Sequence, residues 1–450
     1  MNKSTVAVAV ALGLLAQQAS ADGFIEDSKA TLKLRNFYIN TDNRDAGTKA
    51  AGAQSKNEEW GQGFQVDYTS GFTAGTVGFG VDAIALLGVR LDSGGGTNGA
   101  TATSYGGTVF PSKSNGDAVN DFSSLGVTAK AKISQTELRY GTLMPKLPVI
   151  SYNDGRLLPQ TFEGGQITSN EIKDLTLIGG QIEHVKGRNS SNNEQLSISG
   201  ANNPVTGEFS NKFRYAGADY KVTKDLLLQY YYGNLEDFYK QNFLGLVHNW
   251  AIGPGVLKTD LRYFNSTDDG KNSNQSSYYT TGSYSGNASG KGPVDNNLYS
   301  GLLLYTVAGH TFGGGYQVSN GSSDFPWLNQ GDGSSNYTIT DSQIQKFGRA
   351  GERTWQARYS YDFAKVGVPG LTAGAVYLHG DNIDTYSGGK QNNNGASEWE
   401  RDITVAYVVQ EGALKNLGLM WKNAMWRNDI AGQRNQDENR LIVSYSIPLL

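Results

Sequence analysis

The chain has 450 residues, a formal charge of −4 at neutral pH and no cysteine. Disulfide scaffolds, thiolate metal sites and cysteine nucleophiles are therefore excluded, and the charge implies no nucleic-acid partner. Glycine (58) and tyrosine (25) are abundant, proline (10) is scarce and the mean hydropathy is −0.45, yet apolar residues return as short alternating runs along the whole length.

The first stretch, "MNKSTVAVAVALGLLAQQASADGF", has a cation at Lys3, an apolar run from Val6 to Ala16 and the small triplet Ala19-Ser20-Ala21. This pattern predicts a signal peptide over residues 1–21, cut after Ala21, and a mature domain over 22–450. The apolar run is too short for a membrane anchor, which needs about 20 residues, and no later segment approaches that length.

Period-2 segments follow in order. They include "ATLKLRNFYIN" (30–40), "EWGQGFQVDYTSG" (59–71), "LGVTAKAKIS" (125–134), "TELRYGTLM" (136–144), "VLKTDLRYFNS" (256–266), "TWQARYSYDF" (354–363) and "NRLIVSYSIPLL" (439–450). With less regular stretches around 162–172 and 239–252 the count reaches about eighteen strands, many longer than a soluble sheet uses. Tight turns such as "VTKD" (222–225) and "GPG" (253–255) alternate with long Gly/Ser/Asn-rich loops near 93–120, 189–210, 266–297, 319–350 and 384–398. A soluble sandwich of this size would be very large, and a β-solenoid would show a fixed repeat, which is absent. The pattern predicts an all-β fold, a closed transmembrane antiparallel barrel of about eighteen strands, because no open sheet edge survives in lipid.

Strand register then assigns faces. In "TWQARYSYDF", Trp355, Ala357, Tyr359, Tyr361 and Phe363 go to lipid, with Trp355 and Phe363 near opposite interfaces, while Gln356, Arg358 and Asp362 go to the lumen. The same rule sends Lys130, Lys132, Glu137, Arg139, Lys258, Asp260 and Arg262 inward, together with Arg35, Lys422 and Arg440. Two readings stand: these cations brace the barrel by pairing with acids such as Glu137, Asp260 and Asp362, or they offer successive weak sites to a passing anion. The segment "PKLPVISYNDGRLLPQTFEGG", within 145–165, has three prolines and few of the polar residues of the other loops. It is expected to be ordered, either narrowing the pore or packing on the surface.

Nine segments in order, among them "GFIEDSKATLKLRNFYIN" (23–40), "GRLLPQT" (155–161), "HTFGGGYQ" (310–317), "GERTWQARYSYDF" (351–363) and "NRLIVSY" (439–445), resemble the OprD-like, or Occ, outer-membrane channels. The resemblance covers nearly the whole mature chain. It implies a monomeric eighteen-stranded barrel in the outer membrane of a Gram-negative bacterium, surrounded by lipid and lipopolysaccharide, with inward-folded constriction loops and a basic ladder serving uptake of small carboxylate-bearing nutrients. It makes Arg156 the leading candidate for a carboxylate contact and puts Lys130, Lys132 and Arg139 where family members also place basic residues; Arg35, Arg262, Arg358, Lys422 and Arg440, inward by register, are the further solute-binding candidates. At Met420 and Lys422 the chain departs from the two inward arginines of the family pattern.

No cofactor or metal is expected: "GGGTNG" (94–99) lies in a loop without a strand–turn–helix context, and the four histidines are far apart in sequence. The competing classes are a barrel hydrolase with its active site at the extracellular rim, and an adhesin or structural barrel with a plugged lumen.

Overall fold

The computed structural model describes residues 23–44, 55–92, 108–114, 117–198, 208–273, 293–328, 335–387, 390–430 and 433–450, and the expected signal peptide lies outside them. The strands are β1 (Lys29–Asn43), β2 (Lys56–Thr69), β3 (Gly78–Asp92), β4 (Asp121–Ile133), β5 (Thr136–Leu143), β6 (Lys146–Leu147), β7 (Ile150–Ser151), β8 (Thr161–Ile172), β9 (Leu175–Lys186) and β10 (Phe213–Lys221). They continue as β11 (Leu226–Leu235), β12 (Tyr239–Ile252), β13 (Gly255–Asp268), β14 (Asp295–Val307), β15 (His310–Asn320), β16 (Arg353–Asp362), β17 (Leu371–Ser387), β18 (Lys390–Val408), β19 (Gly418–Asn428) and β20 (Gln436–Pro448). Apart from the small hairpin β6–β7 they form one 18-stranded sheet of sequential antiparallel neighbours.

Strand β1 pairs with both β2 and β20, as in Arg35 opposite Gly63 and Ser444, so the sheet closes and leaves no edge. The start of β1, the end of β20 and the short turns, such as Ile252 to Gly255 and Val307 to His310, fall at one end of the barrel; the long connections fall at the other.

The expected faces hold across the middle of the wall. Leu125 is 73% exposed and Leu138, Leu261 and Trp355 are outward, while Lys130 on the opposite face of β4 is 5% exposed. Aromatic rings form two outer belts. On the loop side Tyr263 stacks on Tyr299 at 4.8 Å, and Trp355 contacts Tyr377 at 5.3 Å, which lies 5.9 Å from Trp399. On the turn side His310, Phe312, Tyr359, Tyr361 and Phe363 cluster together. Trp355 and Phe363 thus sit in different belts.

Two expectations about the loops are corrected. The stretch 384–398 is not a long loop: the backbone continues as strand to Ser387 and resumes at Lys390, so β17 and β18 rise well above the belt. The stretch 319–350 is not a solvated outer loop in its second half, because residues 335–352 turn into the barrel and bury Ile339 and Phe347. The inner wall at the loop end is correspondingly apolar. Phe213, Tyr231, Phe243 and Phe264 pack with Val149, Ile150, Phe325 and Leu328 from the loops, and Phe37, Ile39 and Phe122 pack with Phe110, Leu157 and Leu158. Burial of this apolar surface, at roughly 25 cal/mol per Å², holds the loops inside.

Candidate functional site: the lumenal constriction

The chain leaves the wall after β5 and returns at β8, and the intervening segment forms the hairpin β6–β7 followed by the turn "NDGRLLPQ". Asn153 closes that turn: its side-chain oxygen accepts from the Gly155 amide at 2.8 Å, its own amide donates to Gln160 Oε1 at 3.1 Å, and its carbonyl accepts from the Gln160 amide at 2.8 Å. Arg35 of β1 reaches across to donate to both carboxylate oxygens of Asp154, at 2.7 and 3.1 Å, and to the Arg156 carbonyl at 2.7 Å.

Glycines in β2 make room for the loop. A Cβ at Gly61 would stand 2.5 Å from the Phe110 ring and 2.8 Å from Leu157, and one at Gly63 would meet Leu157 at 3.0 Å. The alternation of strand residues therefore places absent side chains where the constriction presses on the wall.

Held this way, Arg156 has a side chain only 12% exposed; its Nε donates to Thr108 Oγ1 at 3.2 Å and its Nη2 lies 3.9 Å from Glu438. Glu438 also accepts from Arg440 Nε at 2.6 Å and from Gln343 Nε2 at 3.0 Å.

Gln343 belongs to the second inward loop, 335–352, which polar contacts fasten to β13, β15, β16, β18 and β20 and, through Asn382 Nδ2 donating to the Gly351 carbonyl at 2.8 Å, to β17. Arg262 of β13 forks onto Asp260 with two bonds of 2.8 Å, donates to the Tyr337 carbonyl at 3.0 Å and lies 3.9 Å from the Tyr337 ring centroid. Gln317 of β15 donates to Thr340 Oγ1 and the Phe347 carbonyl, both at 2.7 Å. Arg358 of β16 donates to the Ile339 carbonyl at 2.6 Å and to Gln356, not to Asp362; Asp362 instead caps the 3₁₀ turn at Phe363–Val366. Glu400 of β18 accepts the Ile344 and Gln345 amides at 2.8 and 2.7 Å, and Asp402 accepts from Ser342 and Gln343. Arg440 of β20 donates to the Gln343 carbonyl at 2.8 Å.

The cations fall into three groups. Arg35, Arg156, Lys422 and Arg440 gather at the constriction, where Lys422 stands directly across from Arg440 in the β19–β20 register. Among the described residues Lys422 makes no ion pair or side-chain hydrogen bond, and Arg440, Arg156, Asp402 and Glu438 are its charged neighbours. Arg262 and Arg358 lie under the second loop. Lys130, Lys132 and Arg139 sit toward the turn end.

Of that last group, Lys130 is sealed: its ammonium contacts Asp82 and the Ser70 carbonyl, both at 2.7 Å, and lies 4.8 Å from the Phe72 ring centroid, pinning the turn after β2. Lys132 is exposed beside the same ring at 5.7 Å. Arg139 pairs with Glu137 and lies 3.7 Å from Asp82. It lines two cavities of about 640 and 420 Å³, the larger roofed by the hairpin side chains Lys146, Leu147 and Tyr152, the smaller bordered by Lys132.

Sequence reasoning missed the groups that hold the loops and cations in place: Asp154, Glu438 and Gln343, which bond the arginines, and Glu400 and Asp402, which bond the second loop. The signal available was the alternation Glu398, Glu400, Asp402 in "SEWERD" and the apolar Ile339, Ile344 and Phe347 in a stretch otherwise read as polar.

Comparison with known proteins agrees with this geometry. A family model described as outer membrane porin, OprD family, matches residues 22–449. The chain is 36% identical over 447 residues to the porin-like protein GalP of Pseudomonas putida, spanning 99% of this chain and 97% of GalP. It is 33% identical to Porin D of Pseudomonas aeruginosa over 98% of this chain and 96% of that protein. The crystal structure of Pseudomonas aeruginosa OccK8 (OprE) is similar with 61% identity and a TM-score of 0.85, covering 95% of this chain and all of that one (100%).

Proposed function

Because this chain belongs to the OprD family of outer-membrane porins, we propose that it is a passive diffusion channel for small carboxylate-bearing solutes, made selective by cations at the constriction. Family and fold point to a channel in the outer membrane rather than to an enzyme. In this reading the leader at 1–21 is removed on export and each barrel conducts as a monomer.

The observation that supports carboxylate selectivity is Lys422. A lumenal cation without a bonded partner among the described residues, flanked by Arg440 and close to Arg156, leaves positive charge where two loops narrow the path. A carboxylate drawn there exchanges weak contacts with Lys422 and the Arg156 guanidinium, strong enough to attract and weak enough to release. Arg35, Arg262, Arg358 and most of Arg440 act first as braces that hold the loops; Arg139 and Lys132 carry the solute onward along the larger and smaller cavities toward the turn end. Lys130, committed to Asp82, takes no direct part.

The test is single-channel recording in a planar bilayer with a small carboxylate added to one side. Open-channel current interrupted by the carboxylate in the wild type, and not in Lys422→Gln, supports the reading; interruptions equal in both proteins remove Lys422 from it.

A further inference from the structure

The outer face of the barrel carries a polar cluster that the channel does not use. The inward Glu398, Glu400 and Asp402 of β18 send Trp399, Arg401 and Ile403 outward, and the inward Lys422, Ala424 and Trp426 of β19 send Asn423, Met425 and Arg427 outward. Met425 stands across from Arg401, and Arg427 across from Trp399. The face continues onto β20, where Asp437 opposes Met425 and Asn439 opposes Asn423. Arg401 Nη2 donates to Asn423 Oδ1, and Asn423 Nδ2 donates to Asn439 Oδ1 at 3.0 Å. The Arg427 guanidinium lies 6.0 Å from the Trp399 ring centroid and pairs with Asp437 at 2.5 Å, which also takes Arg44 at 2.6 Å.

Charge in this cluster does not balance. Asp437 and Asp42, the latter 3.8 Å from Arg44, answer Arg427 and Arg44, but among the described residues no acid pairs with Arg401. Among the described residues its one hydrogen-bond partner is a neutral amide, and its Nε is buried with no partner. Toward the turn end the same face becomes apolar with Ile403 and Val405, Trp421 and Leu419, and Leu441 and Val443. Toward the loop end it meets Trp399 of the aromatic belt, while Tyr377 of that belt stands directly across from Arg401. Arg401 therefore stands where hydrocarbon gives way to headgroups on the long-loop side, which in an exported barrel is the extracellular leaflet.

We propose that Arg401, with Arg427 diagonal to it, is a binding site for the phosphate of a phosphorylated lipid in the outer leaflet. Guanidinium groups take phosphate through paired N–H···O bonds. Diagonal neighbours on adjacent strands lie roughly 7–8 Å apart, so one phosphate reaches both. Trp399, Tyr377 and Met425 supply the amphipathic floor beneath it, and Asn423, held by Asn439, fixes the Arg401 side chain. The site stands independently of what passes through the lumen.

The test is native mass spectrometry of the detergent-solubilised barrel titrated with diphosphoryl lipid A and with its dephosphorylated form. Wild type is expected to bind the phosphorylated lipid saturably, with affinity falling about tenfold or more on Arg401→Gln or on loss of the phosphates. Arg401→Lys, which keeps the charge and loses the fork, is expected between them. Arg214→Gln, at an outward cation of β10 whose cross-strand and diagonal neighbours on β9 and β11 include no second guanidinium, is expected to bind as wild type. Equal binding by wild type and Arg401→Gln, binding indifferent to phosphate, or a lipid-free dimer cross-linked through the Arg401 face would each overturn the proposal. Heat-dependent gel migration confirms that each variant compared is a folded barrel.

Discussion

Arg35 and Asp154, 119 positions apart in the chain, meet in a two-point ion pair at 2.7 and 3.1 Å that ties the constriction loop to the first strand. Both side chains keep some access to water, at 28% and 42%, so the pair contributes modestly, on the order of 1 kcal/mol. Arg35→Ala is expected to leave the loop in place, since Leu157 and Leu158 stay buried against the wall, but to raise its mobility. The measurement is open-channel current noise, which should increase without loss of the barrel; noise equal to wild type would show that Arg35 does not restrain the loop.

Gly61→Val tests the apolar side of the same attachment. The new Cβ would meet the Phe110 ring at 2.5 Å, and overpacking of this kind costs about 1–3 kcal/mol. Phe110 and Leu157 are expected to lift from β2, widening the path, so single-channel conductance rises and thermal stability falls. Unchanged conductance would place the limiting aperture elsewhere.

Arg262 and Asp260 test the second loop. Arg262→Ala strands a buried carboxylate, and breaking such a pair from one side costs roughly 3–5 kcal/mol. The double change Arg262→Leu with Asp260→Leu should cost less in denaturant or thermal unfolding than Arg262→Ala alone, because no charge is orphaned. A double variant as unstable as the single would mean that the contact with Tyr337, at 3.9 Å from its ring centroid, matters more than the ion pair.

The same loop ends in Glu352, whose carboxyl is pushed well above its ordinary value of 4.5 by burial and then by the neighbouring Glu398, despite the Arg349 amide and guanidinium that oppose the rise. An acid whose folded value is raised favours the folded state when protonated, so its contribution is lost as pH climbs from about 4.5 through the raised value. Stability of the loop base is expected to fall over that window, and Glu352→Gln should flatten the dependence and raise the unfolding temperature at neutral pH. An unchanged pH profile in Glu352→Gln would contradict this assignment.

The barrel was legible because alternation over long strands, one short end and one long end, and the need to close the sheet in lipid all point the same way. The inward direction of Arg35, Arg358, Lys422 and Arg440 followed from register alone. What each cation touches did not, because the partners come from loops whose path is set by packing: Ile339 and Phe347 carry residues 335–352 inward, and only then do the Ile339 and Gln343 carbonyls reach Arg358 and Arg440. Periodicity likewise could not distinguish Lys130, sealed against Asp82, from Lys422, which has the same inward register and no such partner.

The central claim is that the unpaired ammonium of Lys422, beside the Arg156 guanidinium that Glu438 holds at 3.9 Å, draws carboxylates through the constriction. Its most direct measurement is the reversal potential of the reconstituted channel in a gradient of a small sodium carboxylate, compared among wild type, Arg156→Ala and the double change Arg156→Ala with Lys422→Gln. The account predicts a preference for the carboxylate over sodium in wild type that declines in Arg156→Ala and is abolished or reversed in the double variant, while the barrel stays folded and conducting. A preference that survives both substitutions, or a wild-type channel with none, would contradict it.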